Sequence, residues 1–493
     1  GASRGRIVRQ LLTESLVLAT LGGALGLAFA WWATRTVLAF APEIPRVEHI
    51  AMNLPVLLFA LAASYASVLL FGVVPAIRTS NVQPALALGS ARGVVRGTRT
   101  AGRGVLVIVE VALAVVLVTG AGVLLKSFAR LAAVDVGLRT ENVIAFSMKL
   151  PDAKYPMPPI GIYPKWPEAV NFFDAALEQV KSVPGVTRAA IGMSHPLDSG
   201  FTSQIEIVGR PKSGGPADEV RIRPVSNDYF ETLGITLLRG RTIAATDRPN
   251  APTVIVVNDA LVRRYFPNED ALGKQIDLWG FKRTIVGVVR GERFGGPQSA
   301  AEAALYAPLV QMPMNQVTLV VRASGEPGSV IAGVRGAIAR IDRDIALFDV
   351  EQLEDTLHRT VATPRFQAVL ITSFGAIALL LAAIGLYALI AYQVQQRTNE
   401  IGIRVALGAT RAEVARLVLS RAAALALTGI AAGLLGALAT ARFLESVVFQ
   451  VSTRDPAIYA AVPLLLVVIA LLATWIPARR AMRLDPATAL HCE

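Results

Sequence analysis

Two stretches at opposite ends of the chain share one pattern: GASRGRIVRQLLTES at residues 1–15 and GATRAEVARLVLSRA at residues 408–422. Small and basic residues recur at matching positions: Gly1, Ala2, Arg4, Arg9, Gly22 and Gly26 in the first copy, and Gly408, Ala409, Arg411, Arg416, Gly429 and Gly433 in the second. Both copies end alike, with PAIRTSNVQPALAL (75–88) and PARRAMRLDPATAL (477–490). Each copy has a basic start, two apolar stretches and a final segment that begins with Pro-Ala. This repetition predicts a duplicated membrane protein, because internal repeats are common in transporters.

Six apolar stretches are long enough to cross a membrane, in a chain of 493 residues that is 53% hydrophobic. A span needs about 20 apolar residues. Only one stretch contains a charged side chain, Glu110. The sequence therefore predicts six transmembrane helices rather than the buried helices of a soluble protein. The predicted spans are 15–34, 54–77, 104–125, 366–396, 422–441 and 456–478.

The arginines predict the orientation of these helices. The segments after the second and fourth spans and the C-terminal tail are rich in arginine, whereas the links at 42–53 and 446–455 are nearly neutral. Because basic loops stay in the cytoplasm, we expect both termini there and the long segment 127–364 outside. The net charge of +12 is then a topology signal, and no aromatic-interleaved basic stripe indicates nucleic-acid binding.

Residues 127–364 are predicted to form an extracytoplasmic α+β domain. Alternating patterns predict strands at 143–150, 189–193, 204–209, 220–225, 253–257, 284–289, 317–323 and 346–350, and helices at 170–183, 258–266 and 329–341. Two helix-then-strand steps suggest βαβ-type units around an inserted strand-rich subdomain, about 198–309. The domain contains no cysteine, since the single one is Cys492 in the tail, so its core must hold it together.

Catalytic and metal-binding patterns are absent from the sequence. It contains no GxxxxGK[ST] phosphate loop, and its four histidines lack metal-ligand spacing. Ser194, His195 and Asp198 do not make a convincing triad, because adjacent side chains on a strand point to opposite faces. The run GERFGG at 291–296 is interpreted as a turn. We therefore expect no enzyme activity, no metal and no cofactor in this chain.

The run EIGIRVALGA at residues 400–409, after the fourth span, resembles the cytoplasmic signature of MacB/FtsX-type ABC transporter permeases. The Pro477–Leu490 tail is also typical of them, and the doubled arrangement resembles their duplicated "orphan" permeases. The resemblance implies an N-terminally truncated chain in the inner (plasma) membrane of a bacterium. It divides the chain into the last two helices of a first FtsX-like unit (1–90), a linker and first helix of a second unit (91–126), a MacB-like periplasmic core domain (127–364) and an FtsX-like permease domain (365–493).

In that family the signature couples the membrane helices to a separate ATPase, so segment 397–416 is expected to do so here. Apolar residues among charges beside a membrane helix can fill a partner's groove or lie along the membrane interface. A plain interfacial connector is therefore the alternative. The coupling residues are Glu400, Ile401, Gly402, Ile403, Arg404, Leu407, Gly408 and Ala409, and the first copy retains Gly1, Ala2 and Arg4.

Three features inside the apolar stretches are ambiguous. Glu110 is expected to snorkel or to pair with an arginine such as Arg103, rather than to carry protons. The pairs Gly22/Gly26 and Gly429/Gly433 have the small-xxx-small spacing that permits close helix packing, although they could equally face lipid.

The function that follows is the permease subunit of an ABC transporter, which passes ATP-driven motion to the extracytoplasmic domain for export of toxic or envelope-associated compounds. The alternative is a non-transporting scaffold that signals to cell-envelope enzymes. A secondary transporter is disfavoured, because the spans lack the polar residues it would need. The implied partners are an ABC ATPase that binds the ATP, a periplasmic adaptor or envelope enzyme, and the lipid bilayer. Nothing in the sequence names a substrate.

Overall fold

A computed structural model describes residues 4–40, 53–68, 92–158, 165–210, 219–396, 404, 407 and 409–481. The chain forms two compact units. A helical unit comprises residues up to Arg130 and from Ala362 onward, and a sheet unit runs from Leu131 to Val361.

The helices within the described residues are numbered in chain order. They are α1 (Arg4–Phe40), α2 (Leu54–Val68), α3 (Arg92–Ala132), α4 (Pro167–Lys181), α5 (Tyr229–Leu233), α6 (Asp259–Tyr265), α7 (Ile331–Ile341), α8 (Leu353–Thr360), α9 (Ala362–Gln396), α10 (Arg411–Leu444) and α11 (Pro456–Ala481).

Four of the described helices are long and apolar enough to cross a membrane: Gly104–Ala132, Ala362–Gln396, Ala412–Leu444 and Pro456–Arg479. They contain four of the six predicted spans. The other two predicted spans correspond to shorter apolar helices, Ala19–Trp32 within α1 and Leu54–Ala66 within α2. The predicted span 54–77 continues past residue 68, where it lies outside the described residues. The described helices therefore support four membrane spans rather than the six predicted.

The strands of the sheet unit are β1 (Val143–Lys149), β2 (Val186–Gly192), β3 (Phe201–Gln204), β4 (Glu206–Ile207), β5 (Glu219–Val225), β6 (Leu237–Gly240), β7 (Val254–Asn258), β8 (Gln275–Leu278), β9 (Phe281–Val289), β10 (Ala304–Pro308), β11 (Gln316–Ala323) and β12 (Leu347–Gln352). In the described residues they make one sheet in the order β12-β1-β11-β2-β5-β10-β7-β9-β8-β4, with β3 beside β5 and β6 beside β9. Each of the eight runs predicted to be strands falls on one of them.

The two predicted βαβ steps differ from the observed pairing. Helix α4 joins β1 to β2, but β11 lies between these strands and is antiparallel to both. Helix α7 joins β11 to β12, and β1 lies between them. The strands joined by each helix are thus parallel but not neighbours. This interleaving lets the apolar faces of α4 and α7 pack into one core with all four strands.

The predicted insert at about 198–309 falls within the segment between β2 and β11, which carries β3 to β10. It does not form a separate sheet, because Gly192 of β2 pairs with Val225 of β5 and the ladder continues. Two further cores lie along it, one around Tyr229, Phe230 and Tyr306 and one around Ile255 and Leu305. The sheet unit is consequently one continuous sheet with several cores.

Candidate functional site

The coupling segment is only partly described. Glu400, Ile401, Gly402, Ile403 and Gly408 lie outside the described residues, as do Gly1 and Ala2 of the first copy, while Arg4 begins α1. The backbone N–H of Ala409 donates to the Arg404 carbonyl at 2.9 Å, which closes a turn. Leu407 within this turn is 83% exposed. An apolar side chain is therefore presented outward immediately before α10.

The start of α10 is fixed by a capping box that the sequence analysis missed. The Glu413 backbone N–H donates to Thr410 Oγ1 at 3.4 Å, and the Thr410 N–H donates to Glu413 Oε2 at 2.8 Å. These two bonds satisfy N–H groups that a helix start leaves without partners. The Thr-x-x-Glu spacing at 410–413 is the sequence signal that could have revealed it. The turn at 404–409 thus leads directly into a well-anchored helix.

The glycine pair of the second copy lies against α3. A Cβ on Gly429 would come 2.7 Å from Val111 Cβ, and one on Gly433 would come 2.7 Å from the Ala112 carbonyl oxygen. Real Cβ atoms do not approach so closely, so only glycine lets the backbones of α10 and α3 meet here. We call Gly429, Gly433 and the facing part of α3 the glycine seam.

The matching pair of the first copy is placed differently. Nothing described lies within 4 Å of a Cβ added at Gly22 or Gly26. It is Gly23, not singled out from the sequence, that faces α2, where an added Cβ would lie 3.3 Å from Ser64 Oγ. In the described part of the chain, therefore, the helix contact of α1 is one residue away from the predicted spacing.

A polar cluster ties the end of α3 to the connection between α10 and α11. Lys126 forms an ion pair with Asp455, and Arg130 donates to the Gln450 carbonyl. Ser127 Oγ accepts from the Phe449 backbone N–H at 2.8 Å. The hydrogen bond from Lys126 holds the pKa of Asp455 below its ordinary value. Together with the glycine seam, this cluster fastens α3 to the α10–α11 hairpin at two levels.

Glu110 is half-buried within α3 and points toward α9. A Cβ added at Gly385 of α9 would collide with the Glu110 carboxylate, so a glycine leaves room for it. Its Oε2 atom is buried without a hydrogen-bond partner among the described residues. The side chain of Arg103, its expected partner, lies outside what is described. The structure thus brings Glu110 to an α3–α9 contact and leaves the expected pairing a prediction.

In the sheet unit, His195 is a partly buried residue of the loop after β2. Its Nδ1 accepts from the Leu197 N–H at 3.2 Å, and burial lowers its pKa. The neighbouring carbonyls of His195 and Asp198 accept from Arg223 at 2.8 Å each. Among the described residues, no group of three or more His, Cys, Asp or Glu side chains could hold a metal ion. The chemistry at this loop is therefore hydrogen bonding that holds the loop on the sheet.

Comparison with known families gives two matches. The FtsX-like permease C-terminal family matches residues 1–84 and 372–486, and the MacB-like periplasmic core domain family matches residues 105–341. The first match falls on both copies of the repeat. The second covers most of α3 and the sheet unit up to the end of α7.

Curated relatives named "Macrolide export ATP-binding/permease protein MacB" are similar to part of this chain. The protein of Mannheimia succiniciproducens is 26% identical over 287 residues, which is 55% of this chain and 43% of the relative. That of Agrobacterium fabrum is 27% identical over 296 residues, 57% of this chain and 44% of the relative. The chain thus spans less than half the length of these relatives.

Among solved structures, the periplasmic region of MacB from Actinobacillus actinomycetemcomitans aligns with 46% of this chain and 94% of its own, at 14% identity and a TM-score of 0.31. The family matches account for the membrane-type helices and for the sheet-rich extracytoplasmic domain. On these grounds the chain belongs to the MacB/FtsX-type family of ABC transporter permeases.

Proposed function

We propose that the chain is a permease subunit that transmits ATP-driven motion from a separate ABC ATPase to its extracytoplasmic domain, and so exports toxic or envelope-associated compounds. The observation that carries this proposal is the fastening of α10 to α3. Helix α10 begins beside the coupling segment, and α3 continues into the sheet unit at Leu131. A displacement of the coupling segment therefore has a packed route along two helices to the start of that unit.

The glycine seam makes this route stiff. Where glycines let two backbones touch, there are no long side chains whose rotamers could absorb a small shift. Toward the other end of α3, the Lys126–Asp455 ion pair ties α3 to the connection that follows α10, just before α11 begins. Helices α10 and α3 would accordingly move together as a rigid pair, and the ATPase would act on the turn at 404–409.

The nucleotide would be bound by the partner, because the sequence contains no phosphate loop. The exported cargo is proposed by analogy with the relatives, whose name is that of a macrolide export protein. The substrate class is accordingly toxic compounds of this kind, and a periplasmic adaptor that receives them is a further proposed partner.

The docking test changes the apolar residues of the coupling segment. In the double variant Ile403→Asp with Leu407→Asp we expect the ATPase to be lost from pull-downs, because buried apolar anchors typically contribute about 1–4 kcal/mol at an interface. The matched control is Leu237→Asp with Leu238→Asp, two exposed leucines of β6 in the sheet unit. The control should retain the ATPase. If both variants retain it equally, the segment does not dock the ATPase and is an interfacial connector.

The proposed orientation, with both termini in the cytoplasm and 127–364 outside, has its own test. Single cysteines replacing Ser90 and Ser213 in a Cys492→Ser background are exposed to a membrane-impermeant thiol reagent on intact cells. The Ser213→Cys variant should label and the Ser90→Cys variant should not. The reverse pattern would mean that the topology is inverted.

A further inference from the structure

The GERFGG loop, residues 291–296, touches both places where the sheet unit connects to membrane helices. On one side lies the entry segment, residues 133–140, which follows α3. On the other lies the end of α8, two residues before α9 begins. A loop read from sequence as a simple turn therefore meets two chain segments that are more than 200 residues apart in sequence.

The contact with the entry segment is made by the backbone. The Arg293 N–H donates to the Val136 carbonyl at 2.9 Å. Gly137 has a positive φ of 84°, and a Cβ there would lie 2.5 Å from the Gly291 carbonyl oxygen. Arg290 and Asp135 add a surface ion pair at 2.9 Å, which contributes little by itself. The loop and the entry segment thus approach as closely as backbones can.

The contact with α8 is equally close. Gly296, with φ of 92°, faces Thr360, and an added Cβ would lie 2.6 Å from Thr360 Oγ1. Gln298 Nε2 donates to the Thr360 carbonyl at 3.3 Å. Thr360 is the last residue of α8, so the loop holds the point from which the chain enters α9.

Buried side chains anchor the loop in the core of the sheet unit. Glu292 is fully buried. Its Oε1 accepts at 2.8 Å from the hydroxyl of Tyr306, a residue of strand β10. Phe294 is 1% exposed and lies under the Arg223 guanidinium at 4.7 Å. Burial raises the pKa of Glu292 in spite of that nearby cation. A surface turn needs none of these features, and together they anchor the loop in the core of the sheet unit.

We propose that the GERFGG loop is a positioning element for force transmission: it clamps the entry segment and the end of α8 together, so that the two connections to α3 and α9 move as one body. This inference rests on the proposed function for its purpose. The clamp itself is a property of the sheet unit and can be tested without any ATPase.

The test is hydrogen exchange of the full chain in lipid nanodiscs. Gly137→Ala and Gly296→Ala each push the loop away from one segment only. If the loop clamps both, each variant should speed exchange roughly threefold to tenfold in 133–140 and also in 353–361. Gly280→Ala is the matched control, because its φ is 82° and nothing described lies within 4 Å of an added Cβ. It carries the same backbone strain without the contact, and should leave both segments unchanged.

Unchanged hydrogen exchange in α4 would show that the variants are still folded. Gln298→Ala, which removes only one exposed hydrogen bond, serves as a milder second variant. Faster exchange confined to the mutated side would overturn the clamp. A second readout compares exchange with and without nucleotide in the complex with the ATPase. Gly137→Ala should retain the ATPase yet lose the nucleotide-dependent change at 353–361, whereas a persisting change would overturn the positioning role.

The two proposals fail separately. If the wild-type chain retains no ATPase, the proposed function is wrong, while the exchange pattern of the glycine variants still decides the clamp. If the ATPase is retained but the exchange changes remain local, the permease proposal stands and the clamp is wrong.

Discussion

The two copies of the repeat carry the same Gly-x-x-x-Gly spacing in different surroundings. Gly429 and Gly433 of the second copy let α10 touch the backbone of α3, whereas Gly22 and Gly26 of the first have nothing described within 4 Å. The second copy has α3 beside it, and α1 meets α2 through Gly23 instead. The comparison teaches that this spacing marks a surface available for close packing, and that the available partner decides whether it is used.

The copies also differ at their helix starts. The capping box Thr410-x-x-Glu413 of the second copy corresponds to Ser3 and Arg6 in the first, where arginine cannot accept the N-cap N–H. Asp455, at the start of α11, corresponds to Asn53 at the start of α2, when the copies are aligned on Pro75 and Pro477. The second copy thus has a capping acid and an ion-pairing acid that the first lacks.

The largest expected effect comes from filling the glycine seam. Gly433→Val should destabilise the purified protein by roughly 1–3 kcal/mol or more, because overpacking forces the helix backbones apart. The same change at the matching position, Gly26→Val, should have almost no effect. Thermal unfolding in detergent measures the stability of both variants. Equal shifts in their unfolding temperatures would show that the two glycine pairs do not differ in packing.

The capping box should give an intermediate effect. Thr410→Ala removes the side-chain acceptor for the Glu413 N–H and should weaken the start of α10 by about 1 kcal/mol. Arg6→Glu in the first copy recreates the Ser-x-x-Glu pattern and should slow amide exchange in the first turn of α1. Hydrogen exchange of both helix starts checks the pair. No change at either start would mean that the caps are irrelevant to the difference between the copies.

The smallest effect is expected at the ion pair. Asp455→Asn introduces the residue of the first copy, keeps a good N-cap and removes only the charge, and a partly exposed ion pair contributes little to stability. The pKa of Asp455 is lowered in the folded chain, so the contribution of the pair is present at neutral pH and is lost as pH falls through that value. Stability curves of wild type and variant should therefore begin to converge below about pH 4, where an ordinary aspartate takes up its proton, and meet once the lowered pKa of the folded chain is passed. A stability difference between wild type and variant that persists in acid would show that the effect has a cause other than charge.

Local patterns were the predictable part of this fold. Long apolar runs, of which only one contains a charged residue, located the four membrane-length helices, and apolar patterns located eight strand runs. Strands β6, β8 and β10 had no predicted run; β6 and β8 have only four residues each, and in β10 a proline ends the short run ALYAP. The insertion of β11 between β1 and β2 depends on pairing across the whole domain, which no local window reports.

The candidate site was only partly predictable for the same reason. The spacing of Gly429 and Gly433 was visible, but its equivalence to Gly22 and Gly26 was misleading, because packing needs a second helix. The run at 291–296 was interpreted as a turn, and the Gly296 N–H does close one by donating to the Arg293 carbonyl at 3.2 Å. Its contacts with Val136 and Thr360 come from residues far away in sequence, so their closeness could not be read from the run itself.

The strand order also has a consequence for biosynthesis. Among the described strands, β1 pairs with β11 and β12 alone, and its register joins Lys149 to Gln316 and Ile144 to Gln352. At about 5–20 residues per second, the ribosome needs roughly 10–30 seconds to add the ~170 residues that separate β1 from its first partner. During that time α3 is already made, while the largely buried strand β1 has neither of its partner strands. A nascent chain arrested before residue 316 should accordingly be far more sensitive to protease and more prone to aggregate than one arrested after residue 352.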